Sequence, residues 1–308
     1  MCVKPNSTAE AHTLEQIHAI SQSMAAGELS ADLFFARGRA RKQVKQLEEA
    51  VHDLTHALES HPPLAEREQA IAYNLRGICY RRLERYPEAI ADADRSLELR
   101  PAYSPFWADR GWAYVCAGQA ERGIEDLNRA LELHPYFLAF VYRGAAYFDL
   151  GDFAAALADY DRVIELYADN LSYSPYLNRG ILRLIQGYTP AEAEADFDVS
   201  VARLPDAVTP NPRPYAYRGL VRAMQGRYAE ALADLRLAEA QGPDPMIPLA
   251  RSLVYARENN RLGVKDEMLA LTNLAQANQR PVGPLLQAAA HFFTNPVSIL
   301  PGLTPLVA

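Results

Sequence analysis

The residues that could carry chemistry in this 308-residue chain form a few sparse groups. His52 and His56 stand four apart, the separation that puts two imidazoles on one helix face and suits a pair of metal ligands. His61 is the nearest third donor and no HExxH sequence accompanies the pair, so a solvated helix face competes with a metal site. Six arginines that precede a glycine recur at a repeat-like spacing: Arg37, Arg76, Arg110, Arg143, Arg179 and Arg218. Their guanidinia could hold an acidic ligand or answer an internal carboxylate. Cys2, Cys79 and Cys116 are scattered, with neither a CxxC pair nor a disulfide framework, which fits a reducing compartment. Acidic runs such as Glu192–Asp198 read as ordinary helix faces. The sequence has no Gly-rich phosphate loop, no GxSxG and no zinc-ligand cysteine set. No catalytic residue, metal or cofactor is expected on these signals.

The arginines have a partner in the sequence itself. Sixteen or seventeen residues after each one stands an aspartate: Asp53, Asp92, Asp126, Asp159, Asp196 and Asp234. A rival partner for those aspartates lies three residues further on, at His56, Arg95, Arg129, Arg162, Val199 and Leu237. That set contains two apolar residues and cannot serve all six. The spacing predicts six structural ion pairs, each joining two successive helices, because a buried guanidinium must have its charge matched.

The elements that position these pairs follow from the residues around them. Three before each Arg sits an aromatic: Phe34, Tyr73, Trp107, Phe140, Tyr176 and Tyr215. Three after each Gly stand Arg41, Tyr80, Tyr114, Tyr147, Arg183 and Arg222. Spacings of three, one and three share one face of a first helix. A second helix carries small residues at Ala50, Ala89, Gly123, Ala156, Ala193 and Ala231, with Leu54, Ala93, Leu127, Tyr160, Phe197 and Leu235 one turn later. The glycine costs about 1 kcal/mol of helix propensity and lets the second helix approach closely. Pro62, Pro101, Pro135, Pro205 and Pro243 close five copies, with Ala168 in the fourth.

This pattern resembles the tetratricopeptide repeat family, whose 34-residue unit reads W-x2-L-G-x2-Y…A-x3-F…P. The resemblance covers roughly residues 31–245, in six copies at about 31–62, 70–103, 104–136, 137–170, 173–206 and 212–245. The position after which the glycine comes is normally Leu in the family and is Arg in every copy here. Insertions at Pro62–Gln69 and Leu204–Pro214 vary the spacing. The resemblance implies an all-α fold, a right-handed α-α superhelix (solenoid) of helix pairs. Residues 1–30 read as a disordered start and an N-terminal helix over Ala9–Ala26 that stops at Gly27, with Ser30 or Asp32 capping the next helix. In residues 246–295 the Arg-Gly and the aromatic are gone, and a degenerate helix pair is followed by a capping helix over Leu285–Phe293. Residues 296–308 form an apolar, Pro-rich tail.

In the family the concave groove is lined by the other face of each first helix. The resemblance places Arg39, Lys42, Asn74, Arg81 and Arg82 there in copies one and two. In copies three to six it places Trp112, Val115, Leu138, Val141, Phe148, Ile181, Leu184, Ile185, Leu220 and Met224 there. The groove therefore reads as basic at one end and apolar at the other, a fit for an extended peptide or helix with an acidic end and apolar anchors. The competing reading is that these apolar residues are buried against the next first helix. Some family members grip a C-terminal carboxylate through a Lys/Asn/Arg clamp, but Phe35 and Arg39 hold the first copy's key positions, so that activity is not expected.

Bulk properties agree with a binding scaffold. A formal charge of −7 opposes a nucleic-acid partner held by its backbone. The N-terminal MCVKPNSTAEAHTLEQ has no apolar core of a signal peptide, and prolines interrupt the uncharged C-terminal stretch from Pro281, so no membrane span is expected. The expectation is a cytoplasmic, non-catalytic scaffold that binds a protein or peptide, with self-association through the tail as a further reading. A peptide-sensing regulator and an enzyme with its site in the groove or the C-terminal cap remain as alternatives.

Overall fold

The structure, a computed structural model, describes residues 8–204, 211–258 and 260–278. Among them every regular element is helical. A first helix, α1 (Thr8–Ala25), precedes six helix pairs: α2 (Ala31–Gln43) with α3 (Leu47–Glu59), α4 (Glu66–Arg82) with α5 (Tyr86–Leu99), α6 (Ser104–Cys116) with α7 (Ala120–Leu133), α8 (Phe137–Asp149) with α9 (Phe153–Tyr167), α10 (Ser174–Ile185) with α11 (Pro190–Ala202), and α12 (Arg213–Met224) with α13 (Tyr228–Gln241). A further pair follows, α14 (Met246–Arg257) and α15 (Arg261–Asn278). The first member of each pair is called helix A below and the second helix B. The chain divides into two compact units, one ending at Asp159 and the other starting at Tyr160. The expected capping helix over Leu285–Phe293, the tail at 296–308 and the start at 1–7 lie outside the described residues.

The pair α6/α7 shows why this sequence folds as it does. Pro105 occupies the first turn of α6, where the missing N–H costs nothing. Phe106, Ala108, Gly111, Ala113, Tyr114 and Val115 are buried on α6, and Gly123, Asp126, Leu127 and Ala130 on α7. Their small size lets the two backbones come close. A Cβ on Gly111 would lie 2.8 Å from the carbonyl oxygen of Gly123, and one on Gly123 only 2.5 Å from Val115 Cγ2. Ala108, Val115, Leu127 and Ala130 then meet Ala139 and Ala146 of the next helix A in one core.

The turn from A to B is equally specific. Gly118 has φ +76°, and the amides of Gly118 and Gln119 donate to the carbonyls of Val115 and Tyr114, which is a Schellman closure of α6. The same position, seven residues past the Arg-Gly glycine, is left-handed in each of the six pairs. It is Gly151, Gly187 and Gly226 in the later ones but Lys45 (φ 62°) and Glu84 (φ 61°) in the first two.

The helices at either end carry the repeat logic further. α1 packs on α2, with Ile17 and Met24 buried, and Ser30 Oγ caps α2 by accepting from the Leu33 amide. At the other end the Arg-Gly step is absent, but an arginine remains at its position. Arg251 stands in its place and Glu267 sixteen residues later in place of Asp, joined at 3.3 Å. Fully buried Ser252 replaces the glycine, and Tyr255 follows three residues on. The pair α14/α15 thus repeats part of the pattern, with Ser in the place of Gly and Glu in the place of Asp.

Candidate functional site

Each repeated arginine makes a two-pronged bond to its own helix B. Arg37 Nε and Nη2 donate to Asp53 at 2.9 and 2.7 Å, Arg76 to Asp92 at 2.8 and 2.8 Å, and Arg110 to Asp126 at 2.7 and 2.8 Å. Arg143 meets Asp159, Arg179 meets Asp196 and Arg218 meets Asp234 in the same way. The aspartates are buried and the arginines nearly so. Such a fork-on-carboxylate geometry fixes the angle between the two helices as well as matching charge.

The third nitrogen of each guanidinium does something the sequence did not disclose. Nη1 reaches back to the preceding helix B, to a residue two past the aspartate of that helix. It donates to Thr55 from Arg76, to Asp94 from Arg110, to Asn128 from Arg143, to Asp161 from Arg179 and to Asp198 from Arg218. Arg37 finds Ser21 of α1 in the equivalent place, so α1 takes the part of a helix B. Arg251 departs from this register: its Nη2 meets Glu239 of α13, five residues past Asp234. One side chain therefore closes its own repeat and ties it to the one before. With all three nitrogens engaged internally, these guanidinia are turned to the protein's own carboxylates and oxygens.

The inner face of the A helices has a different character in the two units. In the second unit Ile181, Leu184 and Leu220 are exposed by only 4, 7 and 7 %, and Met224 is half-buried. Leu220 lies on α12, which packs directly against α14. The apolar surface expected there is largely consumed by the unit's own packing, which corrects the reading of those three leucine and isoleucine residues as partner contacts. In the first unit the face is more open, although Asn74 and Val115 are buried there. Arg39 and Arg82 are exposed, and Lys42, Arg81, Trp112, Val141 and Phe148 are half-buried. The Trp112 and Tyr142 rings stack at 4.8 Å with an 8° interplanar angle.

Cations dominate that open face. Among the described residues Arg39, Lys42, Arg81 and Arg82 make no ion pair, although Arg39 lies 5.9 Å over the Phe35 ring. Burial pushes the Lys42 ammonium below its ordinary pKa, with Cys79 and Asp109 opposing and Arg82 and Arg81 adding to the fall. Burial raises the Tyr142 phenol to about 12, reinforced by Asp109 and opposed by Arg81 and Arg82. Burial likewise raises the Cys116 thiol, against the charge and hydrogen bond of Arg81. The groups on α2, α4, α6 and α8 thus share one electrostatic environment. Asp109 belongs to it and was missed by the sequence reading, because it sits one residue off the groove positions that were counted.

His52 and His56 face each other at 3.2 Å between Nε2 atoms on an exposed face of α3, with the Phe34 ring stacked on His56. Among the described residues no three His, Cys, Asp or Glu side chains gather to hold a metal ion. No described helix is long and apolar enough to cross a membrane.

Helix pairs stapled in series define a helical-repeat protein. Residues 68–134 and residues 108–170 each match the tetratricopeptide repeat, so this part of the chain is built of tetratricopeptide repeats. The Hsp70-Hsp90 organizing protein of Triticum aestivum is 25% identical over 135 residues, which is 44% of this chain and 21% of the relative. Serine/threonine-protein phosphatase 5 of Homo sapiens is 34% identical over 91 residues, 28% of this chain and 18% of the relative. This chain thus spans about a fifth of the length of these curated relatives. A solved tetratricopeptide repeat protein from Parabacteroides merdae ATCC 43184 shares the fold at 18% identity, with a TM-score of 0.58 over 84% of this chain and 94% of that one.

Proposed function

We propose that the chain is a non-catalytic protein-interaction scaffold, and that the inner face of the A helices in its first unit receives an acidic segment of a partner protein. The observation that carries this reading is the set of unpaired cations. Each repeated arginine has a carboxylate at hydrogen-bond distance, whereas Arg39, Lys42, Arg81 and Arg82 make no ion pair among the described residues. Like charges held at close range weigh against folding, so an unmatched cluster beside an aromatic wall is suited to an external anion. The Trp112–Tyr142 stack and half-buried Phe148 offer planar and apolar contact beside it. A relative named as an organizing protein for two other proteins is consistent with a scaffold.

The test is fluorescence anisotropy of the full chain with a labelled hexapeptide of sequence Glu-Glu-Glu-Glu-Leu-Phe. Two partly solvated charges contribute about 2 kcal/mol between them at contact distance in water. The double variant Arg81→Ala/Arg82→Ala should therefore weaken binding about thirtyfold and flatten its dependence on salt. Neither arginine takes part in the Arg–Asp pairs, so the fold should persist. Equal affinity in the variant and the parent would refute the assignment of this face.

A further inference from the structure

Asp109 stands among these cations and is placed where a partner's carboxylate would go. It lies on α6, three residues before Trp112, and is half-buried. Asn74 Nδ2 of α4 donates to its Oδ2 at 2.9 Å. Asn74 is itself only 9 % exposed, and its Oδ1 is buried with no hydrogen-bond partner. The amide is thus turned to serve Asp109 at the expense of its own oxygen, which costs about 1–3 kcal/mol for an unsatisfied buried acceptor. Burial pushes the Asp109 carboxyl above its ordinary range, and the Asn74 bond and the charges of Arg81 and Lys42 pull it back. Its charge also acts on Tyr136, the residue before α8, and on Tyr142 within α8.

A carboxylate held at such cost in a basic cluster acts as an internal counter-ion. The charges of Lys42 and Arg81 act on it, and Arg39 and Arg82 are exposed to solvent. From this we infer that Asp109 is a specificity-determining residue of the proposed acidic-segment site: it competes with the partner's acids for Lys42 and Arg81, and leaves Arg39 and Arg82 for them. The consequence is a face that tolerates a partner carboxylate at its rim and disfavours one at its centre, beside Trp112. This inference rests on the reading of the face as an acidic-segment site.

The experiment compares the full-length parent, Asp109→Asn, Asp109→Ser and Arg81→Ala/Arg82→Ala. The probes are the Glu-Glu-Glu-Glu-Leu-Phe hexapeptide and its Gln-Gln-Gln-Gln-Leu-Phe counterpart, with a thermal melt of each protein. Asn and Ser at 109 both retain an oxygen for Asn74 Nδ2, so the local packing can survive, and two different replacements guard against one that does not fold. Removing one negative charge near the bound acids should tighten binding of the Glu probe about fivefold and leave the Gln probe unchanged. A purely structural role would shift the melt without changing the ratio between the two probes. If the Arg81/Arg82 variant loses the Glu probe while both Asp109 variants bind it no better than the parent, the competitor role is wrong and the site stands. If the arginine variant binds unchanged, the site itself is wrong.

Discussion

Replacing Arg110 by alanine removes three charge-assisted hydrogen bonds at once, two to Asp126 at 2.7 and 2.8 Å and one to Asp94 at 2.7 Å. It also removes a cation lying 4.8 Å from the Trp107 ring. The damage is set less by the lost contacts than by what stays behind. Asp126 has 9% of its side chain exposed and would keep a carboxylate in the interior with its cation gone. Breaking a buried pair by removing one partner costs 3–5 kcal/mol. Arg110 is 18% and Asp94 45% exposed, so solvent screens part of the field and the lower end applies, about 3 kcal/mol. Arg95→Ala is the control. It breaks only a solvent-exposed pair with Glu98 one turn away, worth about 0.3 kcal/mol. Urea unfolding followed by far-UV circular dichroism gives the global effect. Amide hydrogen exchange over α6 and α7 gives the local one, which matters because repeats unfold partly on their own. Adding Asp126→Asn to Arg110→Ala removes the stranded charge and should recover more than half of the loss. An Arg110→Ala protein as stable as Arg95→Ala would refute the reasoning, as would a double variant no better than Arg110→Ala alone.

Glu84 holds a left-handed turn that glycine fills in later repeats, so Glu84→Gly should stabilise the first unit by about 0.5–1 kcal/mol in thermal or urea melts, relief of strain outweighing added chain entropy. Gly111→Ala should cost about 1–3 kcal/mol in the same assay, since its Cβ would meet backbone at 2.8 Å where no side chain can step aside. Burial lifts the Cys79 thiol from its usual value near 9 to about 11, against the pull of Lys42 and Arg82. The folded state therefore prefers the neutral thiol, and the stability tied to it is lost as pH rises from about 9 towards 11. A urea-melt series between those pH values should show the fall in the parent and a smaller one in Cys79→Ala.

Much of the fold could be read from the sequence because its determinants recur as letters. The Arg-Gly step and the aspartate sixteen or seventeen residues on repeat six times, and one geometry underlies all six. The back-reaching bond of Nη1 was invisible for the opposite reason. Its acceptors are Ser21, Thr55, Asp94, Asn128, Asp161 and Asp198, four residue types that share an oxygen and no letter. In the pair α14/α15 the pattern was masked by Ser252 in the place of Gly and Glu267 in the place of Asp. The burial of Ile181, Leu184 and Leu220 depends on how closely successive helices approach, which residue spacing within one helix does not encode. Asp109 could have been found by asking which carboxylate lies nearest the unpaired cations rather than by counting fixed groove positions.

The back-reaching arginine has a consequence for how this array can be rearranged by recombination or design. A segment cut at the customary boundary, before a helix A, carries an arginine whose third acceptor remains in the donor chain. Spliced into another position, Arg143 leaves Asn128 behind, and its Nη1 depends on whatever side chain the new neighbour offers. A segment cut before a helix B instead carries the acceptor and the arginine that uses it together, as α7 and α8 do with Asn128 and Arg143. The transferable cassette of this protein is therefore B followed by A, out of phase with the sequence repeat by one helix.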